Sequence, residues 1–233
     1  WRDGSSDVCS SDLFDPVVDF AAIGLINTAP LMLVVHPSLP VQTVAELIAY
    51  GRANPGKLNY GSGGVGATPF LAAELLKSLA GFDATHVPYK GGAPALADLV
   101  AGQLSFMIEN VPGTLPFVRD GKLRALAVTT SGRSPLAPDV PILQEAGVPG
   151  YDVVGWNGLF APAKTPAAIV DRLSRELANV LASAEVKEQM SKLGAAPGTQ
   201  ASRAFAAFAA AESQRWGKII RDLGIKQIGR AHV

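Results

Sequence analysis

The residues best placed to do chemistry lie in two short units of one design. LNYGSGGVGATPFLAAELL begins at Leu58, and HVPYKGGAPALADLV begins at His86. Each reads as an extended run, a glycine turn and the opening of a helix. A helix start leaves backbone N–H groups without intrahelical partners, and the helix dipole adds partial positive charge there. Glycine lets the backbone itself approach a ligand, so anions bind at such turns without a catalytic side chain. The candidate contacts in the first unit are Ser62, Gly63, Gly64, Gly66, Ala67 and Thr68; in the second they are Tyr89, Lys90, Gly91 and Gly92. Glu109 and Asn110 end the next extended run. Asn110 joins the set because its amide both donates and accepts, whereas Glu109 would repel a carboxylate and hold an ammonium. Two cradles side by side suit a small carboxylate or a similar anion.

Other chemistries are less well served. Gly61 to Gly66 fit the letters of G-x-G-x-x-G, between a strand and a helix. The acidic residue that would hold a ribose is missing: Tyr89 and Lys90 stand at the end of the next strand, and Asp83 precedes it. A glycine turn that merely packs is the third reading. Ser62 is no nucleophile elbow, since Tyr60 occupies the place where G-x-S-x-G needs glycine. His36 and His86 read as surface or hydrogen-bonded structural residues, Asp98 as solvated and Trp156 as core. No histidine stands at ligand spacing from a carboxylate, so neither a metal nor a cofactor is implied.

The elements that must position these groups alternate in type. Ala21 to Ile26 and Leu31 to Val35 read as two buried strands. Thr43-Val44-Ala45-Glu46 is a capping box opening a helix to about Arg52. Strands are expected at Leu58 to Tyr60, Thr85 to Tyr89, Leu104 to Ile108, Leu123 to Thr129 and Val153 to Phe160. Helices are expected from Thr68 to Leu79, from Pro94 to Val100 and after Pro112, with a helical turn or two over Val140 to Ala146. Thr165-Pro166 caps a helix with an apolar face of Ile169, Val170, Leu173, Leu177, Val180 and Leu181. Helices over Glu185 to Leu193 and after Ser202 follow. The alternation predicts an α/β fold with a mostly parallel sheet, whose ligands sit beyond the carboxyl ends of strands. Both glycine turns lie at such ends.

Composition narrows the class. Of 233 residues 48% are hydrophobic, enough for a sizeable core, and 20 basic residues balance 20 acidic ones without charge runs. That balance argues against a nucleic-acid footprint or a membrane-surface patch. The apolar stretch from Ala21 to Val35 is broken by Asn27, Thr28 and Pro30 and is too short to span a bilayer. The termini carry an oddity. One codon choice for Asp7 to Asp12 has a reverse complement that translates as Ile-Gly-Arg-Ala-His-Val, the sequence of Ile228 to Val233. Residues 1–13 and 228–233 therefore read as adapter-derived, which removes the only cysteine, Cys9, and His232 from the natural part.

FDPVVDFAAIGLI, PLMLVVHPSLPVQTVAELI, NPGKLNYGSGGVGA, HVPYKGGAPALADLVAGQLSFMIEN and GKLRALAVTTSGRSPLAPDVPILQEAGVPGYDVVGWNGLFAPAKTP together resemble the solute receptors of tripartite tricarboxylate transporters, the Bug-type proteins. The resemblance covers nearly all of Phe14 to Gln227. It implies a type II periplasmic binding protein fold, two α/β domains joined by two crossing strands. Residues 14–30 and 151–227 would belong to domain 1, incomplete here, and 31–150 to domain 2. It also implies a non-enzymatic periplasmic receptor, acting as a monomer without nucleic acid. Such a receptor holds a small carboxylate in an interdomain cleft and delivers it to membrane permease subunits. Ser62 to Thr68 and Tyr89 to Ala93 would form one wall of that cleft, with Asn110 facing it. Family members often carry small hydroxyl residues and then histidine where this chain has Ala67, Thr68, Pro69 and Phe70, which implies a less polar or differently shaped ligand. The strand and Pro/Gly-rich loop with which the family begins, and which would supply the opposite wall, are expected to be missing from this chain. Poor ligand binding and exposed apolar side chains after Thr165 are the expectations that follow. A nucleotide-binding Rossmann-like enzyme and the effector-binding domain of a transcription regulator are the alternatives.

Overall fold

The computed structural model describes residues 18–225. The expectations for residues 1–13 and 228–233 lie outside that range. The chain divides into two compact units, one of residues 29–155 and one formed by the segments up to Thr28 and from Trp156. The chain passes between them twice, inside β1 (Phe20–Val35) and inside β6 (Val154–Pro162).

The 29–155 unit is built on strands in the order β3-β2-β4-β1-β5, with β2 at Asn59–Ser62, β3 at Thr85–Pro88, β4 at Phe106–Asn110 and β5 at Arg124–Val128. Leu31 to Val35 are all within 1% of full burial. Five consecutive apolar residues cannot alternate between core and water, so this stretch is covered on both faces. Burying each such side chain stabilises by about 1.5–3 kcal/mol. The strands β2, β3 and β4 run parallel, with Ser62 opposite Pro88 and Gly61 opposite Met107. The sheet is mostly parallel as expected, with β2, β3, β4 and β5 pointing one way, while β1 lies antiparallel to both β4 and β5.

Four helices serve this unit: α1 (Val44–Ala53), α2 (Thr68–Ala80), α3 (Gly92–Val100) and α4 (Val111–Arg119). Thr43 caps α1, its hydroxyl accepting the Glu46 N–H, while the Glu46 carboxylate accepts from the Gln42 N–H one residue before the cap. Residues Val140 to Ala146 form a bridge from Ile142 to Val128 and then turns, in which the Ala146 N–H donates to the Ile142 carbonyl, one helical turn as expected that goes no further. The Leu143 N–H donates to the Val128 carbonyl, and that tie to the sheet edge competes with helical bonding.

In the other unit, the expected break at Asn27 and Thr28 does not occur. Those residues pair with Ala196 and Pro197 of β7 (Ala196–Pro197), so β1 continues as one strand of 16 residues. Pro30, which has no N–H, precedes the Leu31 pairing with Asn110. Among the described residues three helices follow β6: α5 (Ala167–Ala182), α6 (Ala184–Lys192) and α7 (Ser202–Asp222). Pro166, not Thr165, is the N-cap of α5, and no side chain bonds there; Ser183 caps α6 through its hydroxyl. Trp156, expected in the core, is only half-buried and meets Phe205 and Phe208 edge-on.

Candidate functional site

Three parallel strands end on one edge of the 29–155 unit, and each feeds a helix. β2 leads to α2, β3 to α3 and β4 to α4. The N-caps are Ala67, Gly91 and Asn110, and none makes a side-chain cap bond. In the same unit α1, which starts elsewhere, has its threonine cap. An uncapped helix start presents its donors and its dipole to whatever lies beyond.

The two glycine turns touch through their backbones. A Cβ on Gly63 would lie 3.2 Å from the Gly91 carbonyl carbon and from the Gly92 nitrogen. Gly64 (φ 127°), Gly66 (φ 86°) and Gly91 (φ 116°) occupy backbone conformations that other residues rarely adopt. Beside Gly66 there is open space. Gly63, Gly64, Ala67, Thr68, Gly91 and Gly92 are partly exposed, and Gly66 and Lys90 are exposed. These residues therefore share one accessible region.

Three of the expected contacts are already engaged within the protein. Ser62 is 0% exposed and cannot reach a ligand. Its Oγ lies 2.7 Å from His86 Nε2, accepts the Gly64 N–H at 3.2 Å and stands 3.2 Å from the Gly64 carbonyl. A serine–histidine pair at this distance could serve nucleophilic chemistry, but burial denies it a substrate. Its work is to hold the Gly64 turn. Tyr89 donates its hydroxyl proton to Asp98 at 2.7 Å, and that bond, followed by burial, pushes its pKa up to about 12. A phenol whose proton is committed offers a carboxylate only lone pairs. Asp98, expected to be solvated, is half-buried by this contact. Asn110 is exposed, but its Nδ2 donates to Glu109 Oε1 at 2.8 Å, so part of its donor capacity turns inward.

Below the first turn lies a polar cluster that sequence reasoning missed. The Tyr60 hydroxyl donates to Glu74, which pairs with Lys77 at 2.8 Å. Burial first and the Glu74 bond second push the Tyr60 pKa far above its ordinary value. The His86 ring packs on Tyr60 and Phe70, with centroids 4.9 Å and 4.6 Å away. Burial lowers the His86 pKa; Glu74 opposes the shift and Lys77 adds to it. Tyr60 and Ser62 share a face of β2, and Tyr60 stands opposite His86 in register, so strand alternation was the available signal. His36 accepts the Ser38 N–H through Nδ1, a structural role as expected. Among the described residues no group of three or more metal-ligating side chains converges.

Residues 11–225 match the family described as the tripartite tricarboxylate transporter family receptor. A protein from the tcbD–tcbE intergenic region of a Pseudomonas species is 38% identical over 87% of this chain and 60% of its own length. The chain thus spans about three fifths of that curated relative. A Rhodopseudomonas palustris protein solved with adipate is 38% identical and superposes with a TM-score of 0.86, over 95% of this chain and 74% of that one. MatC from the same organism, solved with bound malate, is 31% identical with a TM-score of 0.82, over 91% and 74%. The periplasmic binding protein BugD is 30% identical with a TM-score of 0.81, over 91% and 72%. The fold is that of these periplasmic binding proteins.

Proposed function

Because this chain belongs to the tripartite tricarboxylate transporter receptor family, whose members and structural neighbours are solute-binding proteins, we propose that it is a periplasmic receptor for a small carboxylate, which it passes to the membrane permease subunits of such a transporter. The observation that carries this reading is the shared edge. Three helices start there without a side-chain cap, and glycine turns clear the approach. Gly63, Gly64, Gly66, Ala67 and Thr68 are the residues we assign to the carboxylate, with Lys90 adding charge from the second turn. Gly91 and Gly92 shape the wall behind them, and Asn110 offers its amide oxygen to a ligand hydroxyl. The bound adipate and malate of the two relatives support the ligand class.

The test is thermal melting of the protein expressed from its complete reading frame, with adipate, malate, citrate, NAD and AMP in turn. A ligand that binds only the folded state at one hundred times its Kd stabilises by about 2.7 kcal/mol. Carboxylates are expected to raise the melting temperature and nucleotides to leave it unchanged. Stabilisation by a nucleotide and by no carboxylate would replace this reading with a nucleotide-binding one.

A further inference from the structure

A carboxylate of the protein's own lies against the second glycine turn. Gly92 is the first residue of α3, and a Cβ there would collide with Glu109 Oε2 and lie 3.1 Å from the Glu109 carboxyl carbon. The other oxygen, Oε1, accepts the Asn110 backbone N–H at 2.9 Å and Asn110 Nδ2 at 2.8 Å. Glu109 thus reaches across from β4 and rests against the start of α3, whose N-cap, Gly91, has no side chain to offer. A carboxylate beside a helix N-terminus is favoured by the dipole. Glu109 thereby sets a carboxylate beside the start of α3. Among the described residues no carboxylate lies against the first turn, whose Gly64 N–H donates to the neutral Ser62 hydroxyl: the nearest atom to a Cβ on Gly64 would be the Tyr89 carbonyl oxygen at 3.8 Å, and Gly66 faces open space.

We infer that Glu109 is a specificity-determining residue of the carboxylate site, an inference that rests on the receptor reading above. It leaves the turn from Gly63 to Thr68 as the cradle for the ligand carboxylate. It also places a fixed negative charge on the α3 side, so the ligand group facing α3 is neutral or cationic and a second carboxylate must turn away. The lack of a side chain at Gly92 is part of the device, since any substituent there would displace the Glu109 carboxylate.

The experiment compares succinate with its half-amide, succinamate, a pair that differs in one charge at nearly constant length. Binding to the wild-type protein from the complete reading frame and to Glu109→Gln is measured by calorimetry. Glutamine keeps an oxygen for the Asn110 bonds and removes the charge. Relief of one like charge at close range should tighten succinate about fivefold or more while succinamate changes less than about twofold. Equal changes for both probes, or weaker succinate binding by the variant, would overturn the inference while leaving the receptor reading standing. If neither protein binds either probe or any carboxylate, the receptor reading falls and this inference falls with it. A ligand-free check addresses the contact itself. Gly92→Ala should lower the melting temperature by a few degrees, and adding Glu109→Ala should recover most of the loss. Strictly additive losses would show that the carboxylate does not rest on Gly92.

Discussion

At the residue scale the informative pair is Ser62 and His86. Ser62→Ala removes a buried hydroxyl that accepts the Gly64 N–H and leaves His86 Nε2 without its partner. A lost hydrogen bond of this kind costs about 0.5–1.5 kcal/mol, more when a buried group is orphaned. Calorimetric unfolding should show that loss, together with weaker carboxylate binding from a loosened turn. His86 also makes stability depend on pH. Its folded pKa lies below the ordinary 6.5, so the unfolded chain binds the proton more readily. The native state therefore keeps its full stability above that ordinary value and loses it as pH falls through the lowered one. The facing groups are Tyr60 and Ser62 on β2 and Glu74, Lys77 and Phe70 on α2. Melting temperatures between pH 8 and 5 should fall in the wild type, and His86→Gln should flatten the part due to this group. Tyr89→Phe should leave carboxylate affinity within about twofold, since the hydroxyl proton already belongs to Asp98. The sequence marked His86 as a hydrogen-bonded structural residue. It did not pair it with Ser62, because 24 positions separate them and only the parallel pairing of β2 and β3 joins them.

At the scale of elements, the strand–turn–helix units were legible because glycine, proline and apolar spacing act locally. Helix α2 runs from Thr68 to Ala80, with Gly81 in the left-handed conformation at its end. The bounds shift where a tertiary contact intervenes: α3 opens at Gly92, two residues before Pro94, where the glycine admits Glu109. The glycines are not equivalent, and alanine substitutions should rank them. Gly63→Ala sets a Cβ against the rigid backbone of the second turn and should destabilise by about 1–3 kcal/mol with loss of ligand binding. Gly113→Ala, inside α4 with nothing within 4 Å of its Cβ, should stabilise by up to about 1 kcal/mol through helix propensity. Denaturant unfolding of the two variants checks both signs. Equal losses would mean that the backbone contact of the turns carries no special weight.

At the scale of the whole molecule, the pattern of α5 exceeds its burial. Val170, Ser174 and Leu181 are buried, and Leu177 packs beside the cluster of Ile23, Ala161 and Val170. Ile169 is 50% exposed, Leu173 40% and Val180 55%. Apolar side chains were expected to remain exposed on the helices after Thr165, and these three are. Large exposed apolar patches promote association. Replacing Ile169, Leu173 and Val180 together by glutamine should lower dye binding and self-association in light scattering. Each surface change should alter stability by no more than about 0.5 kcal/mol. A large drop in melting temperature would instead show that these side chains carry packing.

The alternation of elements, the two glycine turns and their suitability for an anion are legible in the residues alone, because turn chemistry and hydrophobic period are written in neighbouring positions. Which groups can act is fixed by the three-dimensional packing. It aligned β2, β3 and β4 so that three uncapped helix starts share one edge, and it buried Ser62 beneath its turn. It also laid the Glu109 carboxylate against Gly92, 17 positions away in sequence. Whether a polar group meets a ligand or another residue depends on which strands become neighbours, and that is set by the packing of the whole sheet rather than by local sequence.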